Sequence, residues 1–219
     1  MPITTAMCTS FKVELLQGGH CFNATQTPTG DTTNASATLT NMSSVTNLIV
    51  GMPISGTNVP AGAKIVTIPS STSITISGQA TGTASSVALT ATGDVFKIAL
   101  IKVSPAGTYG AASTNYSNIT SNSDEVTGTG YTAGGVTLTN VTPSSSGTTA
   151  LTTFSPNPTW TSATFSTTGA MIYNSTGRNS TTGRSVSCHD FGGTQTVSSG
   201  TFTAVMPTAD ASNAIIRLT

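Results

Sequence analysis

The feature that most constrains this chain is a short-period alternation, in which apolar residues recur at every second position and the positions between them carry hydroxyls. Ser73-Ile74-Thr75-Ile76 is the plainest run, and Val87-Ala88-Leu89 repeats it. Successive side chains of a strand point to opposite faces, so a period of two specifies sheets with one buried face and one hydroxylated face. Clusters of Gly, Pro, Asn and Ser break the runs at short intervals. That spacing predicts an all-β chain, an antiparallel sandwich with jelly-roll-like connections.

Composition narrows the function classes. Of 219 residues only 6% are charged, the formal net charge is zero, and Ser with Thr makes up roughly a third. Such content can signal disorder, but its alternation with Val, Ile and Leu and a mean hydropathy of +0.11 point to a folded chain. The seven cations, Lys12, Lys64, Lys97, Lys102, Arg178, Arg184 and Arg217, never cluster. Zero net charge removes the electrostatic attraction on which nucleic-acid and anionic-membrane binding depend, so neither is an expected partner. It also removes self-repulsion, which makes a homo-oligomer, for example a trimer, the expected state.

The sequence begins without a basic, apolar leader and has no run of about eighteen apolar residues, so neither a signal peptide nor a membrane span is expected, and synthesis in a cytoplasm is. Cys8, Cys21 and Cys188 are odd in number and widely spaced, which suits free thiols in a reducing compartment. Triplets such as Asn118-Ile119-Thr120 and Asn174-Ser175-Thr176 follow from Ser/Thr richness and carry no glycosylation meaning without secretion.

Residues 9–17 place Phe11, Leu15 and Leu16 at helical spacing before Gly18-Gly19, and predict the only helix. Two similar stretches, Thr27-Pro28-Thr29-Gly30-Asp31 and Thr90-Ala91-Thr92-Gly93-Asp94, bracket a segment that reads as an insertion. The expected organisation is a parent β-sandwich of residues 1–31 and 93–219 carrying an inserted β module at 32–92, with module strands at 36–41, 47–51, 63–68, 72–77 and 86–90. In the parent, Val95–Ile101 is apolar on both faces and reads as a central strand. Further strands are expected at 135–141, 149–154, 159–166, 169–174, 184–191, 200–206 and 213–218, over a core of Phe154, Trp160, Phe165, Tyr173, Phe191 and Phe202.

Several segments of the parent carry a resemblance: Cys8–Gly18, Phe96–Leu100, Asp124–Gly135, Ala170–Ser175, Asp190–Gly193, Gly200–Phe202 and Ala209–Leu218. Together they resemble small β-rich virion structural proteins of tailed bacteriophages. The insertion, through Val50–Gly56 and Val59–Gly62, looks like a β module found in phage tail, fibre and head-surface proteins. The resemblance implies a virion location and an exposed module, and it brings no catalytic residues with it.

Candidate chemistry is sparse. Gly128-Thr129-Gly130-Tyr131-Thr132-Ala133 matches a dinucleotide-binding pattern, but Gly134-Gly135 and the strand-like Val136–Thr139 follow where a helix N-terminus is needed, so a glycine turn is expected. His20-Cys21, Cys188-His189 and Cys8 offer zinc-type ligands. Neighbours on a strand diverge, though, so buried thiols and a hydrogen-bonded histidine are expected instead. The same divergence separates His189 from Asp190 and argues against a hydrolase triad. Asp124-Glu125 could suggest a glycosidase pair or a calcium site, and is read as a solvated loop. Tyr109, Tyr116 and Tyr131, in a loop-rich stretch, are the candidates for stacking on a host surface glycan.

The functional expectation is therefore a non-enzymatic virion protein with no catalytic, cofactor or metal site. It would be a tail-associated short fibre or fibre-anchoring ring that assembles with itself and with other virion proteins. A head-decoration protein is the structural alternative, and a glycan-degrading tail enzyme is the remaining one.

Overall fold

The computed structural model describes residues 2–176 and 181–219, so Arg178 lies outside the described residues. The chain is all-β and divides into two compact units, Met1–His20 with Asp94–Thr219, and Cys21–Gly93.

The larger unit opens with β1 (Ala6–Met7) and α1 (Thr9–Leu16). Phe11 is the one fully buried residue of α1. The helix ends where Gly18 takes φ +68° and the amides of Gly18 and Gly19 return to Leu15 and Glu14 carbonyls, the left-handed stop that glycine permits without strain.

The smaller unit holds β2 (Thr29–Thr32), β3 (Thr38–Leu39), β4 (Ile54–Gly56), β5 (Ile65–Ser70), β6 (Ser73–Ile76) and β7 (Ala84–Ala91). They form two three-stranded antiparallel sheets, β2-β7-β4 and β3-β6-β5. Both give their alternate apolar residues to one core, among them Leu39, Ile54, Ile65, Ile74, Ile76 and Leu89. No strand forms at 47–51: Asn47 and Gly51 take φ +61° and +88°, turning the chain twice and leaving Ile49 and Val50 exposed while Leu48 is buried. The unit also starts earlier than the bracketing repeats suggest. The strands that carry the two repeats pair inside it, with Thr29 facing Ala88 and Gln26 bridging to Ala91, while Asp94 at the end of the second repeat belongs to the larger unit.

The larger unit continues with β8 (Phe96–Ile101), α2 (Ser117–Thr120), β9 (Val136–Leu138), β10 (Ser144–Ser146), β11 (Thr149–Thr152), β12 (Thr159–Asn174), β13 (Arg184–Thr203) and β14 (Ile216–Leu218). One sheet has the order β1-β13-β12-β8-β9 and the other β10-β11-β14, all antiparallel, and together they make the sandwich. β8 is interior, with every residue but Lys97 buried.

Four expected strands are two. The 159–166 and 169–174 runs join as β12, and 184–191 joins 200–203 as β13. The residues that looked like breaks are absorbed as irregularities. Thr167 faces Gln195 while Gly169 faces Asp190, so Phe191–Thr194 bulge out around Gly192 at φ +73°. Ser162 and Ser199 take φ +50° and +49° at further register shifts. Bulges of this kind bend a strand without ending it.

α2 is a second helix that the sequence reading omitted. It is one turn long, secured by Asn118 Oδ1 accepting from the Thr114 and Asn115 amides and by buried Ile119. A single turn has no periodicity to recognise.

Candidate functional site

The acidic pair is not a solvated loop. Asp124 is completely buried. Its carboxylate accepts from the Ala106 and Gly107 amides and from the Tyr109 hydroxyl at 2.5 Å, and Lys102 Nζ lies 3.1 Å away. Burial alone would raise its pKa, but the Tyr109 hydroxyl, the two amides and Lys102 outweigh it and hold the group down at about 2. Glu125 faces a different set of donors, the hydroxyls of Tyr116 and Tyr131 and the Gly134 amide. The two carboxylates thus organise two separate groups of loops. The geometry makes them acceptors for fixed internal donors, not an acid and base across an open site.

The tyrosines are engaged in the same network. Tyr109 is buried, with its pKa raised to about 12 by desolvation and by Asp124. Tyr116 stacks on Tyr173 at 4.5 Å, and Tyr131 stacks on Trp160 at 6.3 Å. Desolvation and Glu125 also raise the Tyr116 and Tyr131 hydroxyls. Of the three candidate stacking rings, Tyr116 and Tyr131 are thus packed on aromatic neighbours and Tyr109 is buried.

Gly128 and Gly130 serve packing. A Cβ on Gly128 would lie 2.4 Å from the Thr164 carbonyl, and one on Gly130 2.8 Å from Ala163 Cα. The loop presses onto β12, where Thr129 bridges to Thr164. β9 follows, with no helix N-terminus to receive a phosphate.

His20 and Cys21 part company, His20 belonging to the larger unit and Cys21 to the smaller. His20 Nε2 lies 2.7 Å from Glu14, and its Nδ1 lies 2.9 Å from the Asn174 amide nitrogen, which also donates to Asp94 at 2.7 Å. One Asn174 amide therefore ties together the residues at which the chain leaves and rejoins the larger unit. Desolvation lowers the His20 pKa, which favours the neutral ring that these two partners require. Arg184 supports the same corner by donating to the Gly19 carbonyl.

Cys8, Cys21 and Cys188 are buried free thiols. Cys8 donates to the Gly110 carbonyl and Cys188 to Ser113 Oγ, both at 3.6 Å. Among the described residues no group of three metal-ligating side chains comes together.

A groove of about 540 Å³ lies in the larger unit. Ile98, Ala170 and Ile172 contribute apolar lining, together with Phe191, Phe202 and Met206, and Arg217 lines it as well. His189 lines this groove and the adjoining opening of about 460 Å³, which Ser187 also lines. Ser187 Oγ is 2.8 Å from His189 Nε2. Sequence reasoning missed this pair, whose signal was the same period of two that puts residues i and i+2 of a strand on one face. Desolvation holds the His189 imidazole down at about 4. Asp190 turns elsewhere, accepting from the Gly192 amide, so the triad order of acid, imidazole and hydroxyl is not assembled.

No family model matches the chain, and comparisons with curated proteins and with solved structures found no match.

Proposed function

We propose that this chain is a non-catalytic structural protein of a tailed-bacteriophage virion, a homo-oligomeric short fibre or fibre-anchoring ring associated with the tail. The observation that carries the reading is the use of its few charged groups. Asp124, Glu125, Glu14, His20 and Arg184 are committed to holding loops and strands together, while hydroxyls dominate the exposed strand surfaces. A surface of this kind favours packing against copies and neighbours over recognition of a charged ligand. The resemblance of the larger unit to phage virion proteins supports the same reading, and the separately folded Cys21–Gly93 unit suits display.

The test is the copy number of this protein in purified particles of the encoding phage, measured by quantitative mass spectrometry against the major capsid protein. A few tens of copies or fewer are expected. Hundreds would move the protein to the head lattice as decoration, and absence from the particle would overturn the virion reading.

A further inference from the structure

We infer that the outer edge of β13, over Gln195–Val197, is the surface through which two copies of this chain join, by antiparallel strand pairing about a two-fold axis. This names one contact within the homo-oligomer proposed above, the one that joins its copies in pairs, and rests on that reading.

An uncovered strand edge presents a row of amide and carbonyl groups whose natural complement is another strand. β13 is an outer strand of its sheet for most of its length. β1 covers it only at Ser187 and Cys188, and the last tie on that side is the Asp190 amide donating to Thr5 Oγ1. From Phe191 to Thr203, β12 is its only strand neighbour among the described residues. Most of these residues are exposed, Thr194, Gln195 and Thr196 among them.

Monomeric proteins protect such edges with charged residues or proline. The run Phe191-Gly192-Gly193-Thr194-Gln195-Thr196-Val197-Ser198-Ser199-Gly200-Thr201-Phe202-Thr203 contains neither. Because it has no charge, an antiparallel approach by the same run opposes no like charges in any register. Its hydroxyls also match a contact the fold already uses: Thr196 Oγ1 is 2.8 Å from Ser166 Oγ across β12 and β13, and Thr67 is 2.6 Å from Thr75 across β5 and β6. A second copy would supply the same hydroxyl row on the open side. The register shift and positive φ at Ser199 on one side, and the Phe191–Thr194 bulge on the other, limit the straight segment to Gln195–Val197. Antiparallel pairing of one edge with the same edge of a second copy is isologous, so the joint closes on itself and does not propagate as a filament.

The experiment combines sedimentation with amide hydrogen exchange on the full chain. The wild type should associate, with exchange at Gln195–Val197 slowing on association. Thr196→Lys and Thr196→Glu, at an exposed position, should each weaken association by about tenfold through like charges facing across the axis. An equal mixture of the two variants should restore it. Normal association of both variants, or unchanged exchange at Gln195–Val197, overturns the edge while leaving the oligomer standing. A wild type that stays monomeric at micromolar concentration overturns both.

Discussion

At the scale of single residues, burial decides what the scarce titratable groups do. Desolvation depresses the His189 imidazole from 6.5 to about 4, so the unfolded chain takes up a proton at higher pH than the folded one. The resulting stability is fully present above pH 6.5 and is lost as pH falls toward 4. His20 is shifted in the same direction. Asp124, held down from 3.8 to about 2, adds a second step: its contribution is present above pH 3.8 and disappears as pH falls to about 2. Denaturant unfolding should therefore show about 3 kcal/mol of His189-linked stability lost between pH 6.5 and 4. Comparison of wild type with His189→Gln checks this. The variant should keep a shallower slope from His20, and an identical slope would mean that His189 is not held neutral.

At the scale of elements, what the sequence revealed was periodicity, and what it concealed was backbone tolerance. β6 and β7 were legible because Ile74, Ile76, Val87 and Leu89 alternate with hydroxyl residues, and β8 because both its faces are apolar. The continuity of β12 and β13 was not, since the sequence predicts breaks at 167–168 and after Phe191, where Gly169 acts as a close-packing point and Gly192 as a bulge. A Cβ on Gly169 would stand 2.4 Å from the His189 carbonyl, a long-range contact that no local pattern encodes. The roles of Asp124 and Glu125 were hidden for the same reason, because their donors come from loops brought close only by the fold. Gly135 is the severest case, with φ +68° and a Cβ position 1.8 Å from the Ile98 carbonyl, where β9 meets β8. Gly135→Ala should cost about 2 kcal/mol or more by forcing β9 away from β8. Thermal unfolding checks the loss, and faster amide exchange at Val136–Leu138 locates it. A variant as stable as wild type would show that this turn relaxes freely.

At the scale of the whole molecule, the division at His20 and Asp94 makes a claim about folding. The Cys21–Gly93 unit has two sheets and an apolar core of its own, whereas the first and last residues the larger unit contributes at this junction are held by the single amide of Asn174. If that tie closes the larger unit, excising Cys21–Gly93 and joining His20 to Asp94 through a short glycine linker should leave a folded protein with a cooperative melt. Asn174→Ala in the shortened chain should then be markedly destabilising, by about 2 kcal/mol, because it removes a buried donor shared by the His20 imidazole and the Asp94 carboxylate. Aggregation of the shortened chain, with the isolated Cys21–Gly93 unit also failing to fold, would show that the two cores form as one cooperative unit. A folded shortened chain that still associates would place the joining surface on the larger unit, where the open edge of β13 lies.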